Sequence, residues 1–183
     1  MARIDLDHRR TLLVRAAEWF SRKKYGEVLD PGRVGLHNRR VLTTTLLTEA
    51  SAARWNTADP TLKALAVMVT SAKVGCSWCM DFGYWEFHHQ GIDPVKLRAV
   101  PQWRDSDAYT DLERAVMEYA EAMTATPPEV TDEQVERLRR DLSDAQLVEL
   151  TSMVALENLR SRTNAALGLT SQGFKEYCEV RPV

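Results

Sequence analysis

Two thiols, Cys76 and Cys79, stand three residues apart in the run Gly75-Cys76-Ser77-Trp78-Cys79. On a helix that spacing puts both sulfurs on one face within disulfide reach, an arrangement used both in thiol-disulfide exchange and in zinc sites. A cysteine reacts as its thiolate, and the first turn of a helix favours that form through the positive end of the helix dipole and its unpaired backbone N–H groups. Advancing about 100° per residue places Cys79, Gly83, Glu86 and Gln90 on one stripe with Cys76 at its edge, which makes that stripe the candidate active face. Asp81 falls on nearly the opposite side. Glu86 shares the cysteine side but stands about 10 Å further along the axis, so it is a candidate catalytic base only through water or substrate. His88 and His89 lie further still. Lys73, just upstream, is a candidate source of positive charge, although a lysine at a helix end is more often simply solvated.

Cys76, Cys79, His88 and His89 are the right ligand types for zinc, but a regular helix cannot bring the four together, and no second CxxC accompanies them. Met80 follows Cys79 where covalent haem attachment requires histidine. The expectation is of no metal and no cofactor. The third thiol, Cys178, is remote from the pair and reads as a buried tail residue.

The elements that must position the thiols follow from hydrophobic spacing. From Asp5 to about Lys24, Leu12, Leu13, Ala16, Trp19 and Phe20 form the apolar face of a first helix whose other face carries Arg9, Arg10, Arg15 and Glu18. Pro31-Gly32 and Gly35 read as a break, and Leu36 to Ala53 as a second helix. Asp59-Pro60 supplies a cap and a first-turn proline for a third helix through Leu62, Leu65, Met68, Val69 and Ala72, apolar almost all round and therefore a central strut. Gly75 turns the chain into the cysteine helix, which Gly91 ends. The aromatic residues Trp78, Phe82, Tyr84, Trp85 and Phe87 on that helix read as packing. Asp93-Pro94 opens a short helix, Leu112 to Met123 form another, and Thr131 with Gln134 and Ser143 with Gln146 match capping boxes. Gly168 closes the last helix. The fold class is all-α, with roughly six to eight helices and no strand pattern.

The 183 residues, 44% of them hydrophobic, are enough for one core and are expected to form a single domain over 1–183, with N-terminal helices over 5–54, a core over about 59–168 and a docked tail over 169–183. A net charge of -2 leaves no basic footprint for nucleic acid or an anionic membrane. Without an apolar leader or a spanning run, a soluble, cytoplasmic protein is expected.

The run Ser71 to Cys79, with the downstream stretch Glu157-Asn158-Leu159-Arg160-Ser161-Arg162-Thr163-Asn164, resembles the carboxymuconolactone decarboxylase family and, within it, the AhpD-like alkyl hydroperoxidase branch. The resemblance implies an AhpD-like helical bundle assembled as a dimer, trimer or hexamer. It also implies a CxxC that cycles between dithiol and disulfide, in which Cys79 attacks peroxide and Cys76 resolves the sulfenic acid. Two positions depart from the peroxidase pattern: Gly83 stands where it has histidine and Ala64 where it has glutamate, so the proton relay is missing at both. Glu86, or His37 from another helix, is the candidate replacement. Asn158, Arg162 and Asn164 read as a buried polar network. The function expected is thiol oxidoreductase activity on a hydroperoxide or disulfide. The alternatives are a redox-responsive oligomeric or binding protein without turnover, and a decarboxylase- or isomerase-like enzyme.

Overall fold

The computed structural model describes residues 2–8 and 11–179, with the side chains of Leu13 and Glu179 outside the described set. Arg9, Arg10 and the end of the expected tail, residues 180–183, also lie outside it. Ten α-helices and a 3-10 turn, with no strand among the described residues, make the fold all-α. Contacts along the chain divide it into two compact units, one running to Arg54 and taking in Leu167–Leu169, the other running from Trp55 to Ala166 and resuming at Thr170.

The N-terminal unit holds α1 (Leu12–Tyr25), α2 (Asp30–Gly35) and α3 (Arg39–Ala52). Thr11 caps α1 by accepting the Val14 N–H, and Gly26 ends it at φ 81°, a left-handed conformation that glycine adopts without a Cβ clash. The expected break at Pro31-Gly32 and Gly35 is instead the short α2: Pro31 sits in the first turn, where its missing N–H costs nothing. Asn38 caps α3, so that helix starts at Arg39 rather than Leu36. The face expected to be apolar on α1 is not covered: Trp19 is 62% and Phe20 58% exposed, and Leu46 and Leu47 of α3 are exposed as well.

In the second unit the strut is α4 (Pro60–Val74). The Asp59 carboxylate accepts from Thr61 and Leu62 N–H, Pro60 occupies the first turn, and Gly75 closes the helix at φ 79°. Leu62 and every residue from Ala64 to Ser71 are buried, against α5 (Ser77–His89), α6 (Pro94–Ala99), α7 (Asp111–Thr124) and α9 (Asp144–Ala166). Leu65, Met68 and Val69 meet Val116 and Met117 of α7 and Leu150 and Val154 of α9 in one core, each full burial contributing roughly 1.5–3 kcal/mol. Lys63 of α4 pairs with Glu149 of α9 at 2.8 Å, and that carboxylate also accepts the Thr57 and Ala58 N–H groups. The capping boxes at Thr131/Gln134, opening α8 (Asp132–Leu138), and at Ser143/Gln146 are present, and Thr110/Glu113 forms another ahead of α7.

The C-terminal segment ends in α10 (Phe174–Glu179). Its start is capped from α5. The buried Asp81 carboxylate accepts from Ser171 Oγ at 2.8 Å and from the backbone N–H groups of Gln172, Phe174 and Lys175 at 2.9, 3.1 and 2.7 Å. Phe174, fully buried, lies edge-on to Phe82 at 5.4 Å and to Trp78 at 6.5 Å, and Trp78 Nε1 donates to Gln172 Oε1. The aromatic run of α5 is therefore the seat of the tail. Replacing Asp81 with alanine strands three backbone donors and should cost roughly 2–4 kcal/mol. The loss should appear in hydrogen exchange as deprotection of amides 172–178; unchanged protection there would refute this anchoring.

Candidate active site

Cys76 is the N-cap of α5 and Cys79 its third residue, and the two are joined as a disulfide with Cα atoms 5.3 Å apart. Cys76 Sγ accepts the Cys79 N–H at 3.2 Å, so a sulfur takes the role usually held by a serine or aspartate oxygen. The Cys76 N–H in turn donates to the Ser71 carbonyl at 3.0 Å, which ties the start of α5 to the end of α4. Both cysteines are nearly buried, at 1% and 6% exposure for Cys76 and Cys79.

A cleft of about 560 Å³ opens beside Cys76, walled by Ser77, Met80, Asp81 and Tyr84 of α5, with Arg98 and Lys175 among its polar groups. The stripe expected as the active face does not line it. Gly83 packs inward, where a Cβ would come 2.7 Å from Met68 Sδ of α4, so the stripe through Cys79 and Gly83 faces the core. Glu86 is half-buried and outside the cleft lining. Asp81, on the side away from Cys79, holds the tail.

The two empty relay positions both lie in packed surroundings. Ala64 is a fully buried core residue of α4, and Gly83 leaves the room that Met68 fills. His37 belongs to the N-terminal unit, where its Nε2–H donates to the Asp5 carbonyl at 2.7 Å. Lys73 is exposed, and its charge bears on Glu121.

The polar groups near the disulfide come instead from α9. Asn164 Nδ2 donates to Cys79 Sγ at 3.4 Å. Ser161 and Glu157 lie three and seven residues before it, on the same helical face. Glu157 is 3% exposed, and its Oε1 accepts from Ser161 Oγ at 2.5 Å and from Ser71 Oγ of α4 at 2.8 Å. Burial pushes the Glu157 carboxyl up, against the lowering influence of Arg160 and of the two serine hydroxyls. A carboxyl held this way keeps a proton to higher pH than an exposed one. The expected network of Asn158, Arg162 and Asn164 thus divides. Asn158 Nδ2 donates to Thr124 Oγ1 and Arg162 Nη2 to the Thr124 carbonyl, bracing α9 against the end of α7, while only Asn164 reaches a cysteine. Glu157, Ser161 and Ser71 are not singled out by any motif; the i, i+4, i+7 spacing of Glu157, Ser161 and Asn164 is the one signal in the sequence that points to them.

Four similarities agree with this architecture. A model of the carboxymuconolactone decarboxylase family matches residues 41–122. The uncharacterized protein YnjA of Escherichia coli is 32% identical over 174 residues, 93% of this chain and 94% of that one. A peroxidase-related protein of Silicibacter sp. TM1040 superposes with a TM-score of 0.82 at 15% identity, covering 95% of this chain and 94% of that one. One from Ralstonia eutropha superposes with a TM-score of 0.80 at 17% identity and the same coverage. At these identities the structural likeness is one of fold.

The raised Glu157 carboxyl has a consequence for stability. The native state holds that proton more tightly than the unfolded chain, so its stabilising contribution is complete below the ordinary carboxylate range and is lost as pH rises through the folded value. Glu157→Gln keeps an acceptor oxygen for both serines without a titrating proton. Thermal melts of the two proteins from about pH 4 to about pH 8 should therefore show the wild type losing ground to Glu157→Gln as pH rises. Between the unfolded and folded pKa values the slope should approach about 1.4 kcal/mol per pH unit. A pH-independent difference would contradict the assignment.

Proposed function

We propose, for a chain that belongs to the carboxymuconolactone decarboxylase family, that the Cys76–Cys79 pair reduces a small hydroperoxide or a disulfide and is itself re-reduced by a dithiol. The observation that carries this reading is the Asn164 amide on Cys79 Sγ, beside a Cys76 sulfur that caps a helix and borders a cleft.

In the reduced protein the Cys79 thiolate, favoured by the Asn164 N–H and by the N-terminal end of α5, attacks one oxygen of the peroxide. The O–O bond breaks, the alkoxide takes a proton and departs as the alcohol, and Cys79 becomes a sulfenic acid. Cys76 sulfur then displaces the hydroxyl, which leaves with a proton as water, and the disulfide forms. A reductant thiolate entering the cleft attacks Cys76, and Cys79 leaves as the thiolate beneath Asn164. The second thiol of the reductant completes the two-electron transfer and frees Cys76. With a disulfide as substrate, the same two sulfurs exchange directly.

We assign the proton-holding role to Glu157 rather than to Glu86. It acts through neighbouring groups and so positions a proton instead of touching substrate; its burial, its two serine partners and its place on the Asn164 face of α9 support this. The reading also includes self-association, which would cover the exposed Trp19 and Phe20 of α1 and Leu46 and Leu47 of α3. No helix among the described residues is long and apolar enough to cross a membrane.

Peroxide consumption with a dithiol reductant tests the proposal. Cys79→Ser should abolish turnover. Cys76→Ser should give one equivalent of trapped sulfenic acid without cycling, and Glu157→Gln should lower the rate by about 10²-fold or more, the scale of a positioned acid or base. Equal rates for wild type and Cys79→Ser, or reversible oxidation of the pair with no turnover, would sink the enzymatic reading.

A further inference from the structure

The last turn of α5 meets the tail at a second cluster of ligating groups. A ring nitrogen of His88, one of His89 and the Cys178 sulfur all lie within 4.8 Å of one another, the one such group of three among the described residues. His88 and Cys178 are half-buried and His89 is exposed. Tetrahedral ligands 2.0–2.3 Å from a zinc-type ion sit about 3.5 Å apart, so the three atoms need to close by at most about 1.3 Å to share one.

Several features prepare them to do so. His89 Nδ1 faces the Trp85 carbonyl at 2.7 Å, and because a carbonyl only accepts, that nitrogen carries the proton and Nε2 keeps its lone pair. This is the tautomer lock that metal-bound histidines typically have, with the second nitrogen bonded to a carbonyl. The His89 ring is set 4.4 Å from that of Trp85, and the His88 ring stacks against Tyr84. Cys178 arrives on α10, whose position is fixed independently by Asp81 and Phe174. A cation here also sits at the C-terminal end of α5, where the helix dipole is negative.

We infer that His88, His89 and Cys178 form a binding site for a divalent transition-metal ion of the zinc class, with a fourth position left for water or an external ligand. Two imidazoles and one thiolate are a borderline-soft donor set suited to Zn²⁺ or Co²⁺ and poorly suited to Mg²⁺ or Ca²⁺. The site lies at the other end of α5 from the redox pair and is separate from it. A bound ion would clamp α10 to α5 and so hold the cleft wall that Ser171, Gly173, Lys175 and Glu176 contribute beside Cys76. It departs from the sequence expectation of no metal, which sets the two histidines only against Cys76 and Cys79.

Cobalt is the probe, because a thiolate ligand gives it a charge-transfer absorption that nitrogen and oxygen ligands do not. Untagged full-length chain carrying Cys76→Ser and Cys79→Ser should bind one equivalent of Co²⁺ with that absorption, and Zn²⁺ should bleach it. Oxidised wild type, whose disulfide occupies the other two sulfurs, should behave alike and covers the case of a misfolded double variant. Adding Cys178→Ser should remove the absorption, and His89→Ala should weaken binding at least about tenfold, since even loss of a group supporting a ligand costs that much. Absence of the absorption in both backgrounds, or its survival in Cys178→Ser, would overturn the inference.

Discussion

One buried carboxylate sets the C-terminal segment of the second unit. Asp81 accepts four hydrogen bonds from residues Ser171 to Lys175, and Ser171 Oγ, one of its donors, in turn accepts the Gly173 N–H. Without it, three backbone N–H groups at the start of α10 would lose their acceptor, that of Phe174 in a buried position, a cost of the same order as the gain from burying the Phe174 ring. The cap and the aromatic seat therefore work together: Asp81 fixes where α10 begins, and Phe82, Trp78 and Trp85 fix which way it faces. Both the cleft wall beside Cys76 and the approach of Cys178 to the histidines inherit their geometry from this contact.

The site is divided between two helices with different duties. α5 contributes the two sulfurs at its start, while α9 contributes the amide on Cys79 and, on the same helical face, the buried Glu157 carboxyl. Between them α4 is mostly apolar where it is buried, and Ser71 joins it to the polar groups beside the disulfide. Its hydroxyl bonds Glu157, and its carbonyl receives the Cys76 and Gly75 N–H groups. At the two relay positions, Ala64 is fully buried in α4 and Gly83 lies against Met68 of α4.

The helices were legible in the sequence wherever their ends carry local chemistry. Asp59-Pro60, Gly75, Thr131 with Gln134, and Ser143 with Gln146 all act within four residues of themselves, and each marks its helix end in the structure. The CxxC and its place at a helix start were legible for the same reason. Asp81 and Glu157 were not: the partners of Asp81 lie 90 to 94 residues away and Ser71 lies 86 residues from Glu157, so no spacing rule connects them. The apolar stripe of α1 illustrates the opposite limit. Periodicity identifies the stripe but not what covers it, and in the structure Trp19 and Phe20 remain exposed.

The contact between Gly83 and Met68 also constrains how this chain can change. A histidine placed at Gly83 would bring its Cβ to 2.7 Å from the Met68 sulfur, so the end of that flexible side chain, which also borders the cleft beside Cys76, must shift before the ring can enter. Shortening Met68 first would leave a cavity beside the redox helix, at a cost of roughly 2–5 kcal/mol until the new ring fills it. A larger side chain at Gly83 is therefore coupled to the cleft: it enters only with a rearranged Met68, and that rearrangement changes the cleft wall beside Cys76.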